Sequence, residues 1–206
     1  MKKGLFITFE GGEGSGKTTI INRLVELLSK DVEVVTSREP GGVRIAEEIR
    51  NIILDPNNTE MCSETEALLF AASRMQHLKE KVIPALLDNK LFICDRYLDS
   101  SLVYQGYCRG LGFDKVLSCN SFALDYLPDL TFFIDVTPEV GLKRLKDRSG
   151  KIDRLDKETI SFHQKVYDGY VLLAKKYPER IVRVDGNRNV EEIVKDIYNK
   201  VMPLIK

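Results

Sequence analysis

The sequence predicts an α/β fold: a three-layer sandwich in which a five-stranded parallel sheet carries helices on both faces, with a short lid. Three observations carry that expectation. Five apolar runs, GLFITF, VEVVTS, LFICD, LTFFIDV and RIVRVD, are rich in Val, Ile and Phe, as strands buried on both faces should be. Segments with helical periodicity separate them. A glycine-rich loop joins the first run to the first such segment, where α/β sheets bind ligands.

Taken in order, the first run leads into FEGGEGSGKTT. Gly11, Gly12, Glu13, Gly14, Ser15, Gly16, Lys17 and Thr18 fit G-x-x-x-x-G-K-[ST], with Thr19 following. Glycines let backbone N–H groups close around phosphate oxygens, the next helix offers its positive end, and Lys17 adds a mobile charge. Thr18 is expected to ligate magnesium. The helices are expected over 18–29, 45–54, 64–87, 139–148, 157–175 and 190–203, the last capped by Asn189. Strand and helix on either side of the loop give it the setting of a P-loop NTPase-type fold.

The 206 residues, 43% hydrophobic, suffice for one core, so residues 1–206 are expected to form a single domain with a lid at about 147–156. Lys and Arg balance Asp and Glu at 31 each, so no global charge draws the chain to nucleic acid or to a membrane. The cysteines, Cys62, Cys94, Cys108 and Cys119, form no C-x-x-C pair, which argues against a zinc site or a disulfide framework. With only MKK before the first run and no apolar stretch of membrane-spanning length, a cytoplasmic setting is expected.

Charge gathers after the strands. Asp95 closes the third run, either as the acidic residue that holds a magnesium water shell or as a cap on the next helix. Arg96 follows, suited to grip a phosphate with two parallel hydrogen bonds. Arg38 is held in the turn SREPGG, and Arg50 and Arg74 fall in nearby segments. Phe70 and Arg74 share a helical face, as a stacking platform beside a donor fork or as a core residue beside an ion-paired arginine. The segment from Arg144 to Glu158 concentrates Arg144, Lys146, Arg148, Lys151 and Arg154 around Ser149-Gly150, as a solvated turn or a closing lid.

Together, FEGGEGSGKTT, SREPGG, LLFAASRMQH, DRYLDSSLVYQG, PDLTFFIDVTPEVGLKR and DRLDKE resemble the thymidylate kinase family, its bacterial members in particular. The resemblance implies ATP-dependent phosphorylation of dTMP to dTDP with Mg2+, and a homodimer. It implies that the glycine loop, Lys17 and Thr18 hold the ATP phosphates and metal, with Asp95 at the metal and the adenine between Arg144 and Asn187. Glu10 would meet the deoxyribose, Arg38 and Arg96 would hold the acceptor phosphate, and Phe70 would stack on thymine. Arg74 and Gln105 would read the base edge, Ser101 and Tyr104 would line the pocket, and Arg50 would lie near it. Because the loop has no arginine of its own, Arg148 or Arg154 of the lid would offset the charge of transfer. Ser37 stands where the family usually has Thr. A kinase for another nucleoside monophosphate and a non-catalytic nucleotide binder remain open. A guanine-reading switch needs N-K-x-D, but Asn89-Lys90 is followed by Leu91-Phe92.

Overall fold

The computed structural model describes residues 4–146, 154–155 and 158–205. Five strands, β1 (Phe6–Glu10), β2 (Val34–Arg38), β3 (Leu91–Asp95), β4 (Leu130–Asp135) and β5 (Ile181–Asp185), form one parallel sheet in the order β2-β3-β1-β4-β5. All five coincide with the apolar runs. Chain order reverses around β1, which places the crevice at its carboxyl end.

Alternation along β1 explains the two cores. Ile7 and Phe9 point to one face, where they pack with Ile20, Leu24 and Leu28 of α1 (Lys17–Leu28) and Ile193, Val194 and Ile197 of α9 (Val190–Val201). Phe6 faces the other side, joining Phe92, Cys94 and Tyr97 and the helices after α2 (Arg44–Leu54) and α3 (Ser63–His77). Thr8 and Glu10 share that second face, so a polar pair is carried into the interior on the strand that ends in the phosphate loop. Thr8 is satisfied by Thr131 Oγ1 at 2.7 Å.

The helix expected over 64–87 is three pieces: α3, a π-helical turn at Leu78–Val82, and α4 (Ile83–Leu87). Pro84 has no N–H to give to the preceding turn, and the wider turn before it accommodates that loss. Between β3 and β4 lie elements the periodicity did not predict: α5 (Leu98–Ser101), a π-helical stretch at Leu102–Cys108, α6 (Phe113–Cys119) and a 3-10 turn at Ser121–Tyr126. Gly106, Gly110 and Gly112 interrupt any regular repeat there.

Helix α7 (Pro138–Lys146) begins as expected, while most of the lid, Arg148 and Lys151 included, lies outside the described residues. Helix α8 (Ile160–Lys176) starts at Thr159, whose Oγ1 accepts from Phe162 N at 3.2 Å. Asn189 caps α9 as the sequence suggests, its Oδ1 accepting from Glu191 N at 2.8 Å. No helix of the described residues is long and apolar enough to cross a membrane.

Candidate active site

The phosphate loop leaves β1 and enters α1 through Gly16, which caps the helix at φ 91°. Its tip rests on α7: a Cβ on Gly14 would meet Gly141 O at 2.0 Å, and one on Gly141 would meet Glu13 O at 2.3 Å. Backbone packs on backbone there, so neither glycine can be enlarged. Lys17 is buried and donates to Gly11 O at 3.1 Å, Gly12 O at 3.2 Å and Ser15 Oγ at 3.2 Å. Burial, then the nearby Arg96, hold its ammonium below the ordinary lysine range. Thr18 Oγ1 donates to Asp95 Oδ2 at 3.1 Å, which brings the two expected metal-side oxygens together.

Arg96 follows β3 at φ 67°, a left-handed conformation uncommon for a side-chain-bearing residue and held here by contacts on every side. Its guanidinium donates to Gly11 O at 3.0 Å, to Tyr170 OH at 3.1 Å and to Ser100 Oγ at 3.3 Å, and it pairs with Glu13. Burial pushes the Glu13 carboxyl up, but Arg96 and Lys17 outweigh it and keep it ionised below the usual range.

Glu10 lies beneath this layer, fully buried. It accepts from Tyr97 N at 2.8 Å, Ser100 N at 3.3 Å, Ser100 Oγ at 2.6 Å and Tyr170 OH at 2.8 Å. The expectation that it faces the deoxyribose is corrected: the alternation of β1 points it into the protein, and it lines neither cavity of the site. Glu13, three residues on, is the carboxylate that reaches the crevice. Glu10 instead ties the β3–α5 turn, and so Arg96, to the sheet.

Burial, then repulsion from Asp99, raises Glu10 to about 7 against 4.5. Between those values the folded chain keeps a proton that the unfolded chain has released. The stability this group contributes is therefore present below 4.5 and is lost as pH rises through about 7. In Glu10→Gln this loss should vanish. Denaturant titrations of parent and variant across that range should show their difference moving in the variant's favour as pH rises, and a difference independent of pH would refute the assignment.

Two cavities open at the carboxyl ends of the strands. One, with about 1100 Å3 of empty space, is lined by the phosphate loop from Glu13 to Thr19, Asn22, Asp95, Arg96, Arg144 and Leu145. The other, about 510 Å3, is lined by Glu13, Glu39, Pro40, Arg50, Leu54, Phe70, Arg96, Ser100, Tyr104, Gln105 and Leu155. Glu13 and Arg96 belong to both. Tyr104 OH donates to Glu13 Oε1 at 3.2 Å, extending the shared wall.

The structure gathers Phe70, Tyr104, Gln105, Arg50 and Arg96 around the second cavity as expected. Other expected residues stand differently. Arg74 is buried and spent on neighbours: Nε donates to Glu39 Oε2 at 2.8 Å, NH1 to Asn120 Oδ1 at 2.6 Å, and NH2 to Tyr97 O and Ser101 Oγ, each at 3.1 Å. It holds Glu39, which lines the cavity, and breaking such a buried pair costs about 3–5 kcal/mol. Ser101 is buried with it and lines neither cavity.

Arg38 is half-exposed, pairs with Glu47 at 2.9 Å and donates to Pro40 O at 3.2 Å, so it braces the turn that carries Glu39 and does not line the cavity. Arg154 reaches Ile53 O at 2.9 Å and Glu66 Oε2 at 2.5 Å. The end of α2 leaves a carbonyl unpaired by the helix, and the arginine satisfies it there, away from the phosphate loop. Arg144 donates to Gly186 O at 3.2 Å and lines the loop cavity, whereas Asn187 is exposed and folds onto Asp185 Oδ1.

Sequence reading missed Glu39, Ser100 and Tyr170. Glu39 bridges Arg74 and His77 Nδ1, the latter at 2.9 Å. Tyr170 lies 160 positions from Glu10, and no spacing rule links the two.

A phosphate loop beside a second pocket, with an ionised acid and an arginine on their common wall, defines a phosphotransferase that seats donor and acceptor side by side. Comparison narrows the class. The thymidylate kinase family model matches residues 9–197. The thymidylate kinase of Acholeplasma laidlawii is 54% identical over 200 residues, covering 96% of this chain and 98% of the relative. That of Clostridium novyi is 51% identical with the same coverage. The crystal structure of thymidylate kinase from Ehrlichia chaffeensis superimposes with TM-score 0.78 at 32% identity, covering 97% of this chain and 98% of the other. The chain belongs to the thymidylate kinase family.

Proposed function

We propose that this phosphotransferase moves the γ-phosphoryl group of ATP onto the 5′-phosphate of dTMP, giving dTDP, across the wall its two cavities share. The carrying observation is that Glu13 and Arg96 line both, which seats the two phosphates in reach of one guanidinium. Family membership and relatives about half identical over nearly the whole chain support the same activity.

Phosphoryl transfer needs in-line positioning and cancellation of charge more than covalent chemistry. The loop amides from Gly11 to Thr19 and Lys17 hold the donor phosphates, and Arg144, at the rim, is the side chain placed to meet the adenosine side, with Asn187 further out. Arg96 holds the acceptor phosphate and turns it toward the donor. Phe70 provides a face for the base, Gln105 a polar edge, and Arg74 and Ser101 brace both from below. Arg50 and, through the turn, Arg38 add positive potential. Glu13 and Tyr104 close the sugar side.

Mg2+ fits Thr18 and Asp95, since two hard oxygens 3.1 Å apart line the phosphate cavity. When bound it would neutralise phosphate charge. Arg148 is the lid residue we assign to charge compensation during transfer, because Arg154 is held against α2 and Glu66.

A homodimer is supported by exposed apolar side chains on adjacent helices, Ile45 and Ile52 on α2 and Leu68 on α3. A cytoplasmic setting belongs to the same reading. The test is a mixture of dTMP, dUMP, dCMP, dAMP and dGMP with ATP and Mg2+, resolved by chromatography. The expected first product is dTDP, and early accumulation of a purine diphosphate would overturn the acceptor assignment.

A further inference from the structure

Behind the acceptor cavity, Glu66 of α3 is almost wholly buried at 1% exposure. It accepts from Gln105 Nε2 at 2.8 Å, Arg154 NH2 at 2.5 Å, and Arg109 NH2 and Nε at 3.3 and 3.4 Å. Arg109 also donates to Glu158 Oε1 at 2.6 Å. Burial pushes the Glu66 carboxyl up, but the Gln105 hydrogen bond, Arg109 and Arg154 outweigh it and hold it below the usual range.

An ionised carboxylate accepts hydrogen bonds and donates none. The end of the Gln105 amide that faces Glu66 must therefore be the NH2 group, which leaves Oε1 for the other side. That oxygen is buried, has no hydrogen-bond partner among the described residues, and belongs to a side chain that lines the cavity.

We propose that Glu66 is a positioning residue that sets base specificity: by locking the Gln105 amide it makes the cavity demand a hydrogen-bond donor from the base. This rests on reading the cavity as the seat of a pyrimidine monophosphate. Thymine and uracil carry N3–H, a donor between two carbonyls. Cytosine carries an acceptor at N3, so Oε1 would meet it lone pair to lone pair. Turning the amide over would suit cytosine but would set Oε1 against ionised Glu66. Arg109 and Arg154 keep that alternative closed without touching the base. The device rejects dCMP and is indifferent between dTMP and dUMP, which must be separated by the 5-methyl group.

The test is kcat/KM for dTMP, dUMP and dCMP in the full chain, in Glu66→Gln and in Glu66→Asp. Glutamine both donates and accepts, so Gln105 can turn. In Glu66→Gln the preference for dTMP over dCMP should fall at least about tenfold, with dUMP following dTMP. Aspartate remains acceptor-only, so Glu66→Asp should keep the preference even if overall rates drop. An unchanged preference in Glu66→Gln, with all substrates losing alike, would overturn the proposal. A second reading uses the parent alone and is independent of how the variants fold: dTMP methylated at N3 should bind at least about tenfold more weakly than dTMP by calorimetry, and equal affinity would refute the presented acceptor. Failure of the underlying acceptor assignment looks different, since the parent would then phosphorylate none of these pyrimidine monophosphates.

Discussion

Lys17→Ala is expected to lower kcat at least about a hundredfold, the loss typical of removing one preorganised electrostatic donor. Within the phosphate loop Lys17 is the one basic side chain, and its ammonium already sits among Gly11 O, Gly12 O and Ser15 Oγ. On phosphate binding those three contacts are expected to be exchanged for phosphate oxygens. Burial lowers the affinity of Lys17 for its proton, so a charged phosphate arriving beside it restores that affinity and gains a partially desolvated cation in return. The fold should be little affected, because Lys17 belongs to none of the apolar clusters that pack the sheet. Steady-state kinetics with a thermal-unfolding control checks this, and near-parent turnover by a folded variant would refute the role.

Arg96→Ala should cost about 2–4 kcal/mol in kcat/KM, a loss of roughly thirtyfold to a thousandfold, and should cost it equally for every monophosphate accepted. The guanidinium binds Gly11 O, Tyr170 OH, Ser100 Oγ and Glu13 at once, so it fixes the wall between donor and acceptor and reads nothing of the base. Lysine should not restore it. A single ammonium on a flexible stem cannot reproduce a planar fork that gives one nitrogen to Gly11 O and Tyr170 OH and the other to Glu13. Unequal losses among dTMP, dUMP and dCMP would place Arg96 in base recognition instead.

The fold was legible because its signals are local. Each strand coincides with a short run rich in Val, Ile and Phe, the phosphate loop is a contiguous motif, and Asn189 caps α9 by contact with a residue two positions away. Within the site, Lys17 and Thr18 could be placed because the loop motif fixes their spacing and Phe70 because it shares a helical face with Arg74, whereas Gln105 came only with the family resemblance. Glu10 and Glu13 could not be told apart by type: alternation along β1 sends the first inward, while the second lies past the strand in the loop that borders both cavities. Arg74 carried two readings at the sequence level. Its buried bond to Glu39 depends on a turn 35 positions away, a distance no periodicity encodes. Arg154 was expected over the phosphates from the family resemblance and from a loop with no arginine of its own, but the unpaired carbonyl at Ile53 and the buried Glu66 are tertiary facts.

Coupling of ATP to an acceptor bound across the Glu13–Arg96 wall is the expected activity of the chain. It is tested most directly by ADP release measured with ATP and Mg2+, with and without dTMP. Release is expected to be slow from ATP alone and at least about a hundredfold faster once dTMP fills the second cavity, since in-line positioning of the acceptor supplies much of the rate. Release that proceeds at the same rate whether or not dTMP is present would contradict it.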